Sequence, residues 1–395
     1  MTDNTEGPGF LAQASAWLLP ALASFRQEFP AHANSSQACR IRWNALLREA
    51  NLVSLTWSAE YGGRALPTTD LIAFHELCAR HGAPQPINSI AHSILAPTLL
   101  QFGTDSQKAH FLPGIRQGTE IWCQGYSEPG SGSDLASVRT RGAPAADGWL
   151  VNGHKIWTTQ AHLARWCFAL VRTKPDSVGH RGLSFMLIDM RAPGVRVSPI
   201  RQLTGEADYN EVFFDNVAVP AENIVGDVGQ GWRIAMAAAE YERGVYFLPR
   251  VVQLEHELQR AQALFARAGL VPGERDSYAH RLHEARDRCQ VIRWRVEQVI
   301  GRVAAGDTPG IDGAILKLLW SETRQMVIEL QLELSGERAV IGPEAAGEYA
   351  EDASIVREFL WSRAETIVAG TSEIQRNIIA ERLLGLPKDK STHAN

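Results

Sequence analysis

The segment Gly130-Ser131-Gly132-Ser133-Asp134-Leu135 is one place where residue types and spacing point to chemistry. Closely spaced glycines let backbone approach a phosphate. The string begins like a dinucleotide fingerprint, but Leu135 holds the third glycine position. Short strand-like runs surround it rather than a strand–helix–strand unit, so a Rossmann reading fails. It does not give G-x-S-x-G, and the chain has neither a P-loop nor H-E-x-x-H. Thr371-Ser372-Glu373 opens a predicted helix, and a helix N-terminus attracts phosphate. Ser372 and Gln375 fit a capping box there, and Gly385 then Pro387 close the helix. Glu242 shares a helix face with Ala235, Ala238, Ala239 and Tyr246 by i+3 and i+4 spacing. Glu240 lies roughly 200° around that helix and points elsewhere. A carboxylate buried on such an apolar face has its pKa raised. The ordinary alternative is a solvated glutamate in an i,i+4 pair.

Two further clusters read as structure. His280 and His283 share a helix face but have no third ligand near in sequence, so no metal site is expected. Arg286, Arg288, Arg293, Arg295 and Arg302 surround Trp294, which could suggest nucleic acid. Glu284, Asp287 and Glu297 interleave with them, and a salt-bridged helix face is the better reading.

These residues need a scaffold, and the chain of 395 residues is long enough for two or three packed units. Lys+Arg is 39 against Asp+Glu 44, a formal net charge of −5, which excludes a strongly basic nucleic-acid binder. No apolar run reaches the roughly 18–20 residues of a membrane span. Cys39, Cys78, Cys123, Cys167 and Cys289 are scattered without a C-x-x-C, so a reduced, cytoplasmic compartment is expected. Leu11–Ala23 looks like a signal core, but the first basic residue, Arg26, follows it and Pro20 interrupts it. It reads as a helix of the folded protein.

The expected elements come in three blocks: helices over 1–120, strands over 121–228 and helices over 229–395. Helices are predicted over Gln37–Leu52, from an N-cap at Thr68-Thr69-Asp70, over Ile87–Phe102 with a kink at Pro97, and from a cap at Asp105. Trp149–Val151 and Ile156–Thr159 flank Asn152-Gly153, which predicts a hairpin. Trp166–Val171, Leu183–Met190, Val195–Ile200 and Glu211–Phe214 read as further strands. They lie too close for crossover helices, so a small, mostly antiparallel barrel or sandwich is expected. The helices after Gly229 are long, with breaks at Gly306–Gly313 and Gly342–Gly347, and suit a four-helix bundle.

Four segments resemble the acyl-CoA dehydrogenase family in order and spacing. They are Trp122-Cys-Gln-Gly-Tyr-Ser-Glu-Pro-Gly-Ser-Gly-Ser-Asp134; Asn152-Gly-His-Lys-Ile-Trp-Thr-Thr159; Glu211-Val-Phe-Phe-Asp-Asn-Val through Val219-Pro220 to Gly229-Gln-Gly-Trp232; and Ser362 to Arg382 followed by Leu384-Gly-Leu-Pro387. The resemblance implies a mainly α fold: an N-terminal helical domain, a small antiparallel β barrel and a C-terminal four-helix bundle. It implies an FAD enzyme that removes the α proton of an acyl thioester and passes the β hydrogen to flavin N5. The thioester would be carried by CoA or by an acyl-carrier protein. The electrons would leave to an electron-transfer flavoprotein, and the chain would form a homodimer or homotetramer. Physically, the flavin carries the redox step and the protein supplies orientation, donors and a base.

Residue by residue, the resemblance assigns Gln124, Tyr126 and Ser127 to the isoalloxazine edge, where a donor stabilises reduced flavin. Gly132 and Ser133 match a turn near the cofactor phosphates or the substrate. Trp157 matches an aromatic beside the flavin ring, and Thr159 a hydroxyl there. Thr371 and Glu373 match the adenosine side of FAD. Many members carry the catalytic glutamate directly before the Gly-Thr of the fourth segment, where this chain has Ala369. The isovaleryl- and long-chain-like subgroup instead places the base in a Glu-Arg pair on the first helix of the bundle, and this chain has Glu242-Arg243 there. The resemblance therefore makes Glu242 the base, with the neighbouring alanines leaving a groove for a thin acyl chain. Arg243 would hold the pantetheine or phosphate end of the substrate, or pair with an acid. Ala369 and Gly370 would meet the thioester, the Ala369 N–H donating to its carbonyl. Two departures stand out: Phe265-Ala-Arg-Ala-Gly-Leu-Val-Pro272 lacks the family's Arg-x-x-Phe-Gly, and Leu332-Glu-Leu-Ser-Gly336 replaces Gln-x-x-Gly-Gly, leaving Gly336 as the cofactor-side glycine. An oxygenase or oxidase on the same fold, and a non-catalytic subunit of a heteromeric dehydrogenase, are the competing readings.

Overall fold

A computed structural model describes residues 9–29, 36–243, 247–305, 307, 310–340 and 350–388, with the side chains of 240–243, 247–248 and 350–353 left aside. The chain forms two compact units, Met1–Glu242 and Arg243–Asn395.

In the first unit, α1 (Phe10–Glu28) buries Ala14, Leu18, Leu22 and Phe25 at helical spacing, as a helix of the folded protein does. They join Trp43 and Leu47 of α2 (Gln37–Glu49) and Phe74 of α3 (Thr68–Arg80) in one core. The expected Thr68–Asp70 cap lies inside α3; Pro67 holds the N-cap position and no side chain caps the helix there. The Ile87–Phe102 run divides into a π turn, Ala91–Leu95, and α4 (Ala96–Phe102). Pro97 has no N–H to give back to the preceding turn, and the backbone widens just ahead of it. α5 (Asp105–Gln117) is capped by Thr104 rather than Asp105. The Thr104 hydroxyl accepts from Gln107 N–H at 3.2 Å while Gln107 Oε1 accepts from Thr104 N–H at 3.0 Å.

Eight strands follow: β1 (Trp122–Gly125), β2 (Arg141–Ala145), β3 (Gly148–Thr159), β4 (Trp166–Arg172), β5 (Leu183–Asp189), β6 (Val195–Ile200), β7 (Tyr209–Pro220) and β8 (Ile224–Val225). They pair in the order β6-β7-β3-β2-β4-β5-β8, with β1 on β4. Pairing is antiparallel except that β1 and β2 run parallel to β4. The expected hairpin turn at Asn152-Gly153 is not a turn. β2 and β3 turn upstream, between Ala145 and Gly148, and Asn152-Gly153 sits within β3 at a register shift against β7. Asn152 Oδ1 accepts the Asn216 N–H of β7 at 3.0 Å, so its side chain bridges strands instead of starting a turn. A Cβ on Gly153 would fall 2.3 Å from Thr140 Oγ1, which explains the glycine. α6 (Gly231–Arg243) packs Ile234, Ala235 and Ala238 into the core that holds Leu95, Trp122, Phe168 and Phe185.

The second unit is helical: α7 (Phe247–Arg267), α8 (Pro272–Ala304), α9 (Asp312–Ser335), α10 (Ala350–Glu365) and α11 (Ser372–Arg382). α9 packs against α7, α8, α10 and α11 and is buried along most of its length. Fully buried Arg324 on α9 pairs with Glu257, Glu358 and Glu365. Four of the five arginines singled out on α8 are salt-bridged: Arg288 to Glu284, Arg293 to Glu255 on α7, and Arg295 and Arg302 to buried Asp312. The break before α9 matches the first glycine-bounded gap; 342–347 lies outside the described residues. Helices, strands and helices follow one another in the order that the resemblance implies.

Candidate active site

In the first unit the residues expected at the flavin edge lie on β1, on the segment that continues it and on β3. Gln124 sits on β1 opposite Phe168 of β4, half-buried. Tyr126 and Ser127 continue past the end of β1. Ser127 O accepts the Ile156 N–H of β3 at 2.9 Å, which places them beside Trp157. Trp157 is 56% exposed although it lies within a strand. Its φ is +60°, a conformation that a bulky residue adopts only under constraint. The pairing of β3 with β7 shifts register between Lys155 and Thr158, and this irregularity turns the indole outward. Thr159 is half-buried, whereas the adjacent Thr158 hydroxyl is buried with no partner among the described residues. Gly132 and Ser133 are exposed on the loop after β1, and a Cβ at Gly132 would meet nothing within 4 Å.

Sequence reasoning missed what lies beneath this surface. Lys155 is fully buried, and its Nζ donates to Glu128 Oε1 at 2.8 Å, Leu170 O at 2.8 Å and Tyr126 O at 3.1 Å. Glu128 also accepts from the backbone N–H groups of Arg139 at 2.6 Å and Thr140 at 2.8 Å. Burial alone would push the Glu128 carboxyl up; the Lys155 charge and these hydrogen bonds outweigh it and hold it below its usual range. Burial lowers the Lys155 ammonium, opposed by Glu128. Only the shared motif strings around Glu128 and Lys155 could have hinted at the pair, because they lie 27 residues apart.

The alanine face of α6 differs from the expected groove. Ala235 and Ala238 are fully buried in the core of the unit, and Ala239 is half-buried. Two of the three alanines thus let the helix pack closely instead of lining an open channel. The backbones of Glu242 and Arg243 end α6; their side chains, and Tyr246, lie outside the described residues.

In the second unit Ala369 and Gly370 form a left-handed turn with φ of +54° and +91°. Ala369 O accepts from Gln375 Nε2 at 2.9 Å, and Gly370 O accepts from Lys317 Nζ at 2.6 Å. The expected capping box between Ser372 and Gln375 is not formed. Thr371 is the N-cap of α11 and accepts from Ile374 N–H at 3.2 Å, because it alone has extended backbone at that junction. Gln375 reaches back to the turn instead. Exposed Glu373 is held below its usual range by its own backbone N–H and the Thr371 hydroxyl. Gly336 ends α9 at φ +54°, exposed. His280 and His283 line a cavity of about 540 Å³ with Glu284, Asp287 and Arg288, and no metal-binding group occurs among the described residues.

Helices, then a sheet that presents an exposed tryptophan, then further helices make up the fold of the acyl-CoA dehydrogenase class. Family models agree: the acyl-CoA dehydrogenase N-terminal domain matches 20–119, the middle domain 123–217 and the C-terminal domain 229–384. The chain belongs to the acyl-CoA dehydrogenase family. It is similar to the acyl-CoA dehydrogenase IpdE1 of Mycobacterium tuberculosis, at 41% identity over 389 residues, 96% of this chain and 98% of that protein. Among solved structures, the Tcur3481-Tcur3483 steroid ACAD shares the fold with a TM-score of 0.82 at 24% identity, over 97% of this chain and 99% of that one. The ChsE4-ChsE5 complex from Mycobacterium tuberculosis gives a TM-score of 0.81 at 25% identity, over 97% and 99%.

With the family come its class and cofactor: the protein is an oxidoreductase acting on CH–CH groups, and a flavoprotein that uses FAD. The residues present fit that group. An exposed indole beside the Tyr126–Ser127 backbone, with the orphaned Thr158 hydroxyl next to it, suits a flat ring with polar edge atoms. No helix among the described residues is long and apolar enough to cross a membrane.

Proposed function

We propose that the protein is an acyl-thioester dehydrogenase that desaturates its substrate between the α and β carbons, with Glu242 as the base. The observation that carries this reading is the platform of Trp157 beside Tyr126 and Ser127, exposed on a strained bulge of β3. When bound, FAD supplies the acceptor for the two electrons that leave with the β hydrogen. Trp157 would cover one face of the ring, and Gln124, Tyr126, Ser127 and Thr159 would address its polar edge. Gly132 and Ser133 let backbone approach the phosphates or the thioester. Thr371, Glu373 and Gly336 address the adenosine side.

Glu242 takes the α proton, and Arg243 meets the phosphate or pantetheine end of the substrate. The Ala369 N–H, with Gly370 beside it, donates to the thioester carbonyl oxygen and acidifies the α carbon. A backbone donor serves whatever side chain the position carries. The substrate is an acyl-CoA or a carrier thioester, the acceptor a separate electron-transfer flavoprotein, and the assembly a homo-oligomer in the cytoplasm. The three blocks 1–120, 121–228 and 229–395 are the corresponding domains.

Anaerobic titration with short, branched, long and polycyclic acyl-CoAs tests the reading. Bleaching of the flavin band by one of them, abolished in Glu242→Gln without loss of flavin, is the expected result. Bound flavin that no acyl-CoA reduces would redirect the reading to a carrier-bound substrate or an oxygenase. No bound flavin without a co-expressed partner would favour a subunit of a heteromeric enzyme, a reading that the likeness to the ChsE4-ChsE5 complex keeps in view.

A further inference from the structure

We infer that Lys155 is a positioning residue that tunes the flavin through the peptide unit joining Tyr126 to Ser127; this rests on the proposed placement of the flavin edge at that backbone. Two successive carbonyls of the segment are held from β3. Lys155 Nζ donates to Tyr126 O at 3.1 Å, and Ile156 N–H donates to Ser127 O at 2.9 Å. The C=O of Tyr126 and the N–H of Ser127 belong to one peptide plane and point in opposite directions. The Ser127 N–H has no acceptor among the described residues. An ammonium on the carbonyl side of that plane therefore polarises a donor on the other side, aimed away from the core.

Three features show that the lysine is built in for this geometry. First, its Nζ has three acceptors, Glu128 Oε1, Leu170 O and Tyr126 O, which match its three hydrogens. Second, the stem lies in ordinary contact range of Gly125, whose glycine is required by Cys167: a Cβ there would lie 3.6 Å from Lys155 Cγ but 2.8 Å from Cys167 Sγ. Third, the counter-charge is fixed. Glu128 is tied by the Arg139 and Thr140 N–H groups, so the pair cannot turn as a unit. Packing alone would be met by an apolar side chain of similar volume, which often replaces a buried ion pair without loss. Glu128 neutralises the pair at long range, but Lys155 touches the Tyr126 carbonyl directly, and the contact decides the polarisation.

A stronger Ser127 donor favours the reduced, more negative flavin over the oxidised one. The test is the midpoint potential of the FAD-loaded protein, measured by dye-coupled reduction, with thermal unfolding as the control for folding. Lys155→Met combined with Glu128→Gln removes both charges at nearly constant volume. We expect it to bind FAD and melt near wild type, with about a tenfold loss in preference for reduced flavin, ~30 mV lower for a two-electron couple. A wild-type potential in that folded, FAD-bound variant would overturn the inference and leave the proposed function standing. If the double variant fails to fold, Glu128→Gln alone decides. Loss of Glu128 lets burial lower the lysine further, so the potential is compared with wild type across pH: it should exceed wild type on the acid side, where the lysine is charged without its partner, and a potential equal to wild type at every pH overturns the inference. Wild-type protein that takes up no FAD on reconstitution, whether alone or with a co-expressed partner, would overturn the underlying reading, and this inference with it.

Discussion

Lys317 Nζ donates to the carbonyl oxygen of Gly370 at 2.6 Å, so a lysine from the middle of the bundle holds the turn that carries Ala369. Its ammonium is pushed down to about 8, chiefly by burial and then by Arg250, against the pull of Glu322, Glu365 and Glu373. A folded-state value below the unfolded one means that the unfolded chain binds more protons between the two. Stability from this group is then fully present above the unfolded value, about 10.4, and lost as pH falls through about 8. Denaturant unfolding of wild type and Lys317→Met at several pH values checks this. Wild type should gain on the variant as pH rises from 8 towards 10. A constant difference would mean that the lysine is not desolvated.

Trp157 gives the cleanest separation of cofactor binding from folding. The indole is 56% exposed, so truncation removes little buried area. Its edge-on neighbour is Tyr209, at a centroid distance of 6.3 Å. A ring stacked on the indole would gain about 0.5–1.5 kcal/mol beyond area burial. Trp157→Ala should therefore weaken FAD binding, by up to about tenfold, while the melting temperature of the FAD-free protein stays near wild type. Flavin fluorescence titration and thermal unfolding measure the two quantities. A large fall in apo-protein stability with unchanged FAD affinity would assign Trp157 to the fold alone.

Arg324 shows the opposite case, a group whose loss should act on stability. It is buried among Glu257, Glu358 and Glu365, and burial pushes the Glu257 and Glu365 carboxyls up even with the arginine present. Arg324→Met leaves these acids uncompensated and should cost about 3–5 kcal/mol. A carboxyl raised in the folded state contributes stability below its unfolded value and loses it as pH rises through the folded one. The variant should therefore be closest to wild type in mild acid and fall behind towards neutrality. Urea unfolding at pH 5 and pH 8 would reveal equal deficits if the network were already neutral.

The parts legible in the sequence were those written locally. α1 was readable because Leu11–Ala23 has no basic residue ahead of it and contains Pro20, unlike a signal core, and the salt-bridged face of α8 because Glu284 lies four residues from Arg288. Errors came where a local signal competed with a distant partner. Asn152-Gly153 has favoured turn residues, yet Asn216 and Thr140 claim them for the inside of a strand. Gln375 has the spacing of a capping residue, yet it serves the carbonyls of Ala369 and Gly370. Lys155 and Glu128, or Arg324 and its three acids, are single charged residues in sequence and become networks only through the fold. No spacing rule finds such pairs, because tens of residues separate the partners.

Ala369 bears most directly on the thioester end, because its backbone and its side chain make different demands. At φ +54° an alanine sits where its Cβ crowds the following carbonyl, a cost of about 1–2 kcal/mol. Glycine removes that cost but loses more freedom on folding, by roughly 0.5–1 kcal/mol. Ala369→Gly should therefore be neutral or stabilising by up to about 1 kcal/mol. A β-branched Ala369→Val should destabilise, because its side chain is bulkier in the same backbone state. The N–H survives both changes, so under the proposed mechanism Ala369→Gly keeps its rate of flavin reduction by substrate. Thermal unfolding and anaerobic rapid mixing of both variants check this. If Ala369→Gly reduces flavin much more slowly while melting like wild type, the methyl group touches the substrate and the position does more than present a backbone donor.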